Sequence, residues 1–490
     1  MTTVADLVAR VEAAPEGPQV LAVFDYDGTL IDGFSAADFY LDRLKRRQMG
    51  PGELAHLVSV AKNGLEDAEA FGAFLDTSLA HWAGLPEEDL HATGESLFKG
   101  GTAARLRRET FAILEAHRRR GHTLVLASSA LPFQTAPIAT ALEFDHVLCT
   151  VAEVGPDGLL TGRVQGTPAW GEEKANRIAA LCAELGADIG DTFGYSNGGE
   201  DVPMLRACGT SAAIAPDDTL VREATRHGWP ILRCADPTPR VTVKDAVRTA
   251  AFYGTVAGAM GAAGGIGLAR RSRRSFLDVA FGVGPDVSLA AAGVDVRVLR
   301  GQEHLWEHRP CVFLFNHSSK VDTIVVAKLL RRDFTGVAKA EARNVPMFGQ
   351  LFRLAGVAMI DRNDRDAAQA KMEPLVQRIQ DGTSVVISPE GTRTPTPRLA
   401  PFKKGPFHIA MQAGVPIVPI LLRGVDQVQW RSAQVVRPGT VEAVVLPPVD
   451  TSAWTAGTVG AHRDEVRALM VDGLDHWPSP THHLTKGTPS

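Results

Sequence analysis

The stretch Asn316-His317-Ser318-Ser319-Lys320-Val321-Asp322 sets an imidazole five residues ahead of a carboxylate. An imidazole held by a carboxylate can take a proton from a hydroxyl. Downstream, Ser388-Pro389-Glu390-Gly391-Thr392-Arg393 contains a Gly-Thr-Arg turn of the kind that holds a phosphate. A second reactive pair lies near the start, in Asp25-Tyr26-Asp27-Gly28-Thr29-Leu30. Two aspartates spaced by two share one face of an extended chain. There one can attack phosphorus while the other handles protons. Two chemistries are therefore implied, acylation of a hydroxyl on a phosphate-bearing acceptor and hydrolysis of a phosphate ester.

These groups need particular elements to hold them. At about 100° per residue, His317 and Asp322 on one ideal helix would sit roughly 140° apart. The spacing predicts His317 in a non-helical lead-in and Asp322 one turn inside a helix, reaching back to the ring. Asp322 would then fix the tautomer and stabilise the imidazolium. Ser318 and Ser319 read as helix-start residues, and the helix start offers N–H groups to an oxyanion. His317 follows the apolar run Cys311–Phe315, and Asp25 follows Val20–Phe24. Short apolar runs at Leu124–Ala127 and Ala212–Ala215 alternate with helical stretches, as buried parallel strands do. This predicts an α/β segment over 20–233, with a charged, helix-prone insert from Ser35 to Lys99. A linker with Pro237 and Pro239 follows, then a second α/β segment over 296–448. Strand-like runs there are Cys311–Phe315, Ser384–Ile387, Ile417–Leu422 and Val441–Leu446. The expected boundaries are 1–235 (cap about 35–110), a linker with membrane-associating helices at 236–295, 296–478, and a polar tail at 479–490.

A chain of 490 residues exceeds one ordinary core and suggests more than one domain. Its 45% hydrophobic and 22% charged residues are those of a folded protein. The net charge of −5 gives no general attraction to nucleic acid, so any anion site must be local. Cys149, Cys182, Cys208, Cys234 and Cys311 are scattered, which argues against a disulfide framework. Residues 1–19 carry Asp6, Arg10, Glu12 and Glu16 and lack an apolar secretory core. The catalytic parts are expected at the cytoplasmic face. From Thr249 to Ala269 no residue is charged, and Arg270, Arg271, Arg273 and Arg274 follow. Six of these 21 residues are glycine, so insertion would be weakly driven. The expectation is membrane contact, as a shallow anchor or one short span, with the arginines at anionic headgroups. A soluble helical hairpin covering the second domain is the alternative.

The blocks Asn316–Asp322, Gly356–Arg362, Ser388–Arg393 and Val415–Pro419 occur in the order found in the glycerolipid acyltransferases, and residues 297–446 resemble that family. The resemblance implies His317 as general base and Asp322 as its orienter. It places Arg362, Glu390, Gly391 and Arg393 at the acceptor phosphate, where paired guanidinium bonds suit phosphate oxygens and Gly391 lets the backbone approach. Lys339, Lys403 and Lys404 would add positive charge or simply be solvated. The implied reaction joins lysophosphatidate with an acyl thioester, acyl-coenzyme A or acyl-carrier protein, to give phosphatidate and free thiol.

Asp25–Leu30, Ser128, Lys174 and the run Tyr195–Leu205 with Asp201 resemble the haloacid dehalogenase superfamily, in the branch of the phosphoserine phosphatases. That resemblance implies a Rossmann-like domain with a helical cap. Asp25 would be the nucleophile and Asp27 the general acid/base. Ser128 and Lys174 would bind the phosphoryl group, and Asp25, the Asp27 carbonyl and Asp201 would hold Mg²⁺. Two positions depart from the pattern. Asn197 stands where the family has an acid, which should weaken Mg²⁺ binding. Phe34 stands where phosphoserine phosphatases carry a glutamate, which disfavours an amino-acid substrate.

The leading expectation is thus a membrane-associated lysophosphatidate acyltransferase fused to a Mg²⁺-dependent phosphatase-like domain. Other expectations are a different lysophospholipid or glycolipid acceptor with an inert phosphatase-like domain, phosphoserine phosphatase as the main activity, and a non-enzymatic membrane scaffold.

Overall fold

The computed structural model describes residues 2–50, 52, 68–340, 348–360 and 373–478. The chain divides into two units, Met1–Pro239 and Arg240–Ser490.

In the first unit the apolar runs become strands β1 (Leu21–Phe24), β2 (Thr123–Ser128), β3 (His146–Cys149), β4 (Ala152–Val154), β5 (Leu160–Val164), β6 (Phe193–Ser196), β7 (Thr210–Ile214) and β8 (Ile231–Leu232). Six of them form one sheet in the order β3-β2-β1-β6-β7-β8, with every neighbouring pair parallel. Residues Leu21–Phe24 are fully buried, because helices cover both faces of such a sheet. Strand order runs outward from β1 on one side and from β6 on the other. A crevice therefore opens beyond the carboxyl ends of these two strands. Asp25 lies at that end, its N–H still donating to the Tyr195 carbonyl at 3.0 Å. β4 and β5 form a separate antiparallel pair.

The insert expected over Ser35–Lys99 is helical where described, in Ser35–Lys45, Ala68–Ala80 and Glu87–Gly100. Its inner face is aromatic. Phe39 and Trp82 pack on Phe133 of the helix Pro132–Ala141, with ring centroids 5.2 Å away in each case.

The second unit holds β9 (Val294–Arg300), β10 (Val312–Phe315), β11 (Phe334–Lys339), β12 (Ala358–Ile360), β13 (Ser384–Ile387), β14 (Ile417–Arg423) and β15 (Gly439–Val445). Their order is β12-β11-β13-β10-β14-β15-β9, parallel except for β14 against β15. The central strand β10 is buried throughout and ends two residues before His317.

Residues 236–295, expected as a linker with membrane helices, are largely helical and fall mostly in the second unit. The helix Val243–Ala269 starts on a capping box, in which the Thr242 and Asp245 side chains each accept the other's backbone N–H. Phe252 is buried with Phe313 and Val418 in the core of the second unit, and Asp245 pairs with Arg437 at 3.2 Å. Helices Arg273–Gly282 and Gly284–Ala292 pack along it. Its far end is open, with Leu268 81% exposed. By length and composition both Val243–Ala269 and Arg273–Ala292 could cross a membrane.

Candidate active sites

In the second unit, His317 lies in non-helical chain just beyond β10, and Asp322 begins the helix Asp322–Leu330. Asp322 therefore stands at the first helical position, not one turn inside. Its Oδ2 accepts three donors, His317 Nδ1 at 2.8 Å and the N–H groups of Ser318 and Ser319 at 2.7 Å each. Those two N–H groups are thus committed to Asp322 and unavailable to an oxyanion. With Nδ1–H held by the carboxylate, the Nε2 lone pair is left to act as base. Asp322 is fully buried, whereas the His317 side chain keeps 19% of its surface exposed.

Three further hydrogen bonds tie the loop to residues 390–400. The His317 N–H donates to Glu390 Oε1 at 2.7 Å, and the Ala400 N–H donates to Glu390 Oε2 at 3.0 Å. The Thr394 N–H donates to the His317 carbonyl at 2.7 Å. Burial pushes the Glu390 carboxyl up to about 8, although the N–H donors of His317 and Ala400 act to lower it. Glu390 therefore faces the backbone of the histidine loop. Gly391, at φ +73°, has the stem of Lys403 lying over it. Arg393 donates to the Arg431 carbonyl and lies close enough to Asp322 to be stabilised by its charge, while burial lowers its pKa. Arg362 lies outside the described residues. Lys339, Lys403 and Lys404 are exposed.

Asn316 is a residue the motif reading passed over. Its amide donates to the Leu422 carbonyl at 2.8 Å and accepts the Leu422 N–H at 2.7 Å, pinning the end of β10 to β14. Its place directly before His317 was the available signal. Lys320 and Arg431 were also missed, and nothing in local sequence separates them from solvated cations.

In the first unit, Asp25 is buried with Lys174 Nζ at 3.1 Å and Thr29 Oγ1 at 3.0 Å. Burial raises its pKa to about 6, opposed by Lys174 and assisted by Asp201. Asp27 accepts the Ser35 N–H at 2.7 Å and the Ser35 hydroxyl at 3.0 Å. Burial raises Asp27 to about 7, so it holds a proton near neutrality. Burial disfavours the Lys174 ammonium, but Asp201 and Asp25 outweigh that and keep it charged. Ser128, buried at the end of β2, accepts the Ala130 N–H at 3.1 Å. Phe34 is 67% exposed at the start of the cap.

The expected cation ligands divide differently from the motif assignment. Both oxygens of Asp201 are engaged, Oδ1 by Lys174 at 2.7 Å and Oδ2 by the Ser196 hydroxyl at 2.7 Å. Asn197 instead faces the other two ligands. One terminal atom of its amide lies 2.9 Å from Thr29 Oγ1, 3.2 Å from Asp25 Oδ2 and 2.8 Å from the Asp27 carbonyl. With nitrogen at that point the amide donates to all three. With oxygen there, two pairs of acceptors confront each other, which a cation would resolve. Adjacent ligands of an octahedron with Mg–O of about 2.1 Å lie about 3.0 Å apart, so the spacing fits. Gly28, at φ +84°, makes room, because a Cβ there would overlap the Asn197 amide.

Fold and sites together define a two-unit α/β protein with an aspartate pair at a sheet switch point and a histidine–aspartate pair beside a cationic loop. Residues 22–206 match the haloacid dehalogenase-like hydrolase family, and residues 296–423 match the acyltransferase family. The chain belongs to the acyltransferase family. It is 32% identical to an uncharacterized acyltransferase of Schizosaccharomyces pombe, over 38% of this chain and 68% of that protein. It is 35% identical to the 1-acyl-sn-glycerol-3-phosphate acyltransferase of Cocos nucifera, over 34% of this chain and 55% of that protein. The chain thus spans little more than half of that relative's length. Among solved structures, the 1-acyl-sn-glycerophosphate acyltransferase of Thermotoga maritima overlaps 48% of this chain and 98% of its own, at 22% identity and a TM-score of 0.42.

Proposed function

We propose that the second unit acylates lysophosphatidate, using acyl-coenzyme A or acyl-carrier protein as donor, at the cytoplasmic face of a membrane. The observation that carries this reading is the 2.8 Å bond from His317 Nδ1 to Asp322, in a loop hydrogen-bonded to the stretch after β13 that carries Arg393. The acceptor hydroxyl attacks the thioester carbonyl as His317 Nε2 takes its proton. The tetrahedral intermediate then collapses, the C–S bond breaks, and the imidazolium returns the proton to the sulfur. No acyl-enzyme is required. Asp322 supports the imidazolium throughout, and its buried position strengthens that interaction. Glu390 serves as a positioning residue, since its carboxylate binds the His317 and Ala400 amides. Arg393, with Arg362, would face the acceptor phosphate.

The first unit is read as a phosphate-ester hydrolase. Asp25 attacks phosphorus to form an aspartyl phosphate, the ester oxygen leaves with a proton from Asp27, and water then cleaves the acyl phosphate. Lys174 binds phosphoryl oxygens and keeps Asp25 ionised, and Ser128 lines the same end of the sheet. Asp25, the Asp27 carbonyl and Asn197 would hold Mg²⁺, which when bound neutralises charge on the phosphoryl group. Exposed Phe34 supports a substrate with an apolar portion over a free amino acid.

Membrane contact is assigned to the open end of Val243–Ala269 and the arginines that follow it. The deciding experiment compares lysophosphatidate with lysophosphatidylglycerol as acceptors, reading thiol release. Turnover of neither would remove the acyltransferase reading.

A further inference from the structure

Lys320, Arg393 and Arg431 come from three separate stretches of the acyltransferase unit, yet the structure gathers them at one end of the histidine loop. Arg393 donates to the carbonyl of Arg431. Lys320 Nζ reaches the Ala433 carbonyl at 3.5 Å and Gln434 Oε1 at 3.4 Å, so it leans on the same 431–434 turn. Lys320 sits between Ser319 and Val321, inside the turn closed by Asp322. The Thr394 N–H to His317 carbonyl bond places Arg393 one residue from the histidine backbone. All three cations therefore border the loop that carries the proposed base.

Asp322 offsets part of the Arg393 charge from a distance, but no direct ion pair among the described residues neutralises the group. Among the described residues, none of the three has a carboxylate within ion-pair distance. Burial lowers the pKa of Lys320 and of Arg431, and in each case the charge of Arg393 lowers it further. Arg431 Nη1 is buried and has no hydrogen-bond partner. A half-buried group of like charges, with a donor left unpaired, is unfavourable unless an anion enters to accept from it.

We propose that Lys320, Arg393 and Arg431 form a cradle for a phosphate monoester, with Arg431 supplying the unpaired donor. This rests on the acyltransferase reading, and the ester belongs either to the lysophosphatidate acceptor or to coenzyme A. Two guanidinium groups and an ammonium suit a dianion better than a substituted, singly charged phosphodiester.

Steady-state kinetics of the full-length, detergent-solubilised protein test this. Arg431→Gln should raise the KM of one substrate about tenfold or more, with kcat within about twofold of wild type. Movement of the lysophosphatidate KM assigns the cradle to the acceptor, and movement of the acyl-coenzyme A KM assigns it to the donor. Inorganic phosphate should inhibit wild type competitively against that same substrate and inhibit Arg431→Gln more weakly. Arg431→Lys, which keeps the charge, should recover part of the loss, and equal melting temperatures would exclude misfolding. Unchanged KM for both substrates in Arg431→Gln, or equal phosphate inhibition, would overturn the cradle. Absence of acyl transfer in wild type would instead remove the reading beneath it.

Discussion

Glu390 accepts the backbone N–H of His317 at 2.7 Å, joining the end of β10 to the loop after β13 that carries Arg393. The carboxylate looks inward, and its second oxygen takes the Ala400 N–H. The histidine loop and the stretch 390–400 are thereby held together by one shared side chain.

This burial has a pH signature. The folded-state pKa of Glu390 is raised from 4.5 to about 8. A raised carboxyl contributes stability fully below pH 4.5 and loses that contribution as pH climbs through about 8, because the unfolded chain releases the proton first. Glu390→Gln should flatten the fall in melting temperature between pH 5 and 8. An identical slope in both proteins would show that Glu390 does not titrate in this way.

His317→Ala should reduce acyl transfer by about 10²–10⁴-fold with the fold intact, as loss of a general base does. Asp322→Leu should do more damage, since three donors converge on its Oδ2 and would be left unpaired in a buried place. Thiol release together with thermal melting separates the two effects.

Asp25→Asn should abolish phosphate release from any ester the first unit hydrolyses and leave lipid acylation unchanged. The check is a phosphate-ester panel with Mg²⁺ run beside the acylation assay. Loss of both activities in this variant would argue against independent sites.

Asn197→Asp should tighten Mn²⁺ binding, followed by electron paramagnetic resonance, about tenfold or more, because ligand charge tunes affinity for hard cations. Without metal the variant should melt below wild type, having gained a carboxylate beside Asp25. Equal affinity in the two proteins would separate Asn197 from the cation.

For the membrane, deleting 249–274 is uninformative, because Phe252 belongs to the core. Arg270 and Arg271 are exposed, whereas Arg273 donates to the Leu354 carbonyl at 2.6 Å. Each surface arginine contributes roughly 1 kcal/mol at an anionic membrane. Arg270→Gln with Arg271→Gln should weaken binding to anionic vesicles about thirtyfold and leave binding to neutral vesicles unaltered. Equal loss on both vesicle types would point to a different mode of attachment.

Both α/β segments and the two reactive pairs were legible because their signals are local. Asp25 and His317 each follow a continuous apolar run that can only be a buried strand. β6 was less visible, since Phe-Gly-Tyr-Ser carries a glycine. There a Cβ at Gly194 would lie 2.9 Å from Cys208 Sγ, a packing constraint that no window of sequence displays.

The sequence alone determined which residues could do chemistry, through spacings of two and five residues that depend only on backbone geometry. Tertiary structure decided how they are partnered. Asp201 went to Lys174 and Ser196 while Asn197 took the place beside Asp25 and Asp27. Arg431, 38 residues beyond Arg393, came to lie against it. Such choices depend on how loops from different strands meet at one sheet edge, where burial and charge act between residues distant in the chain.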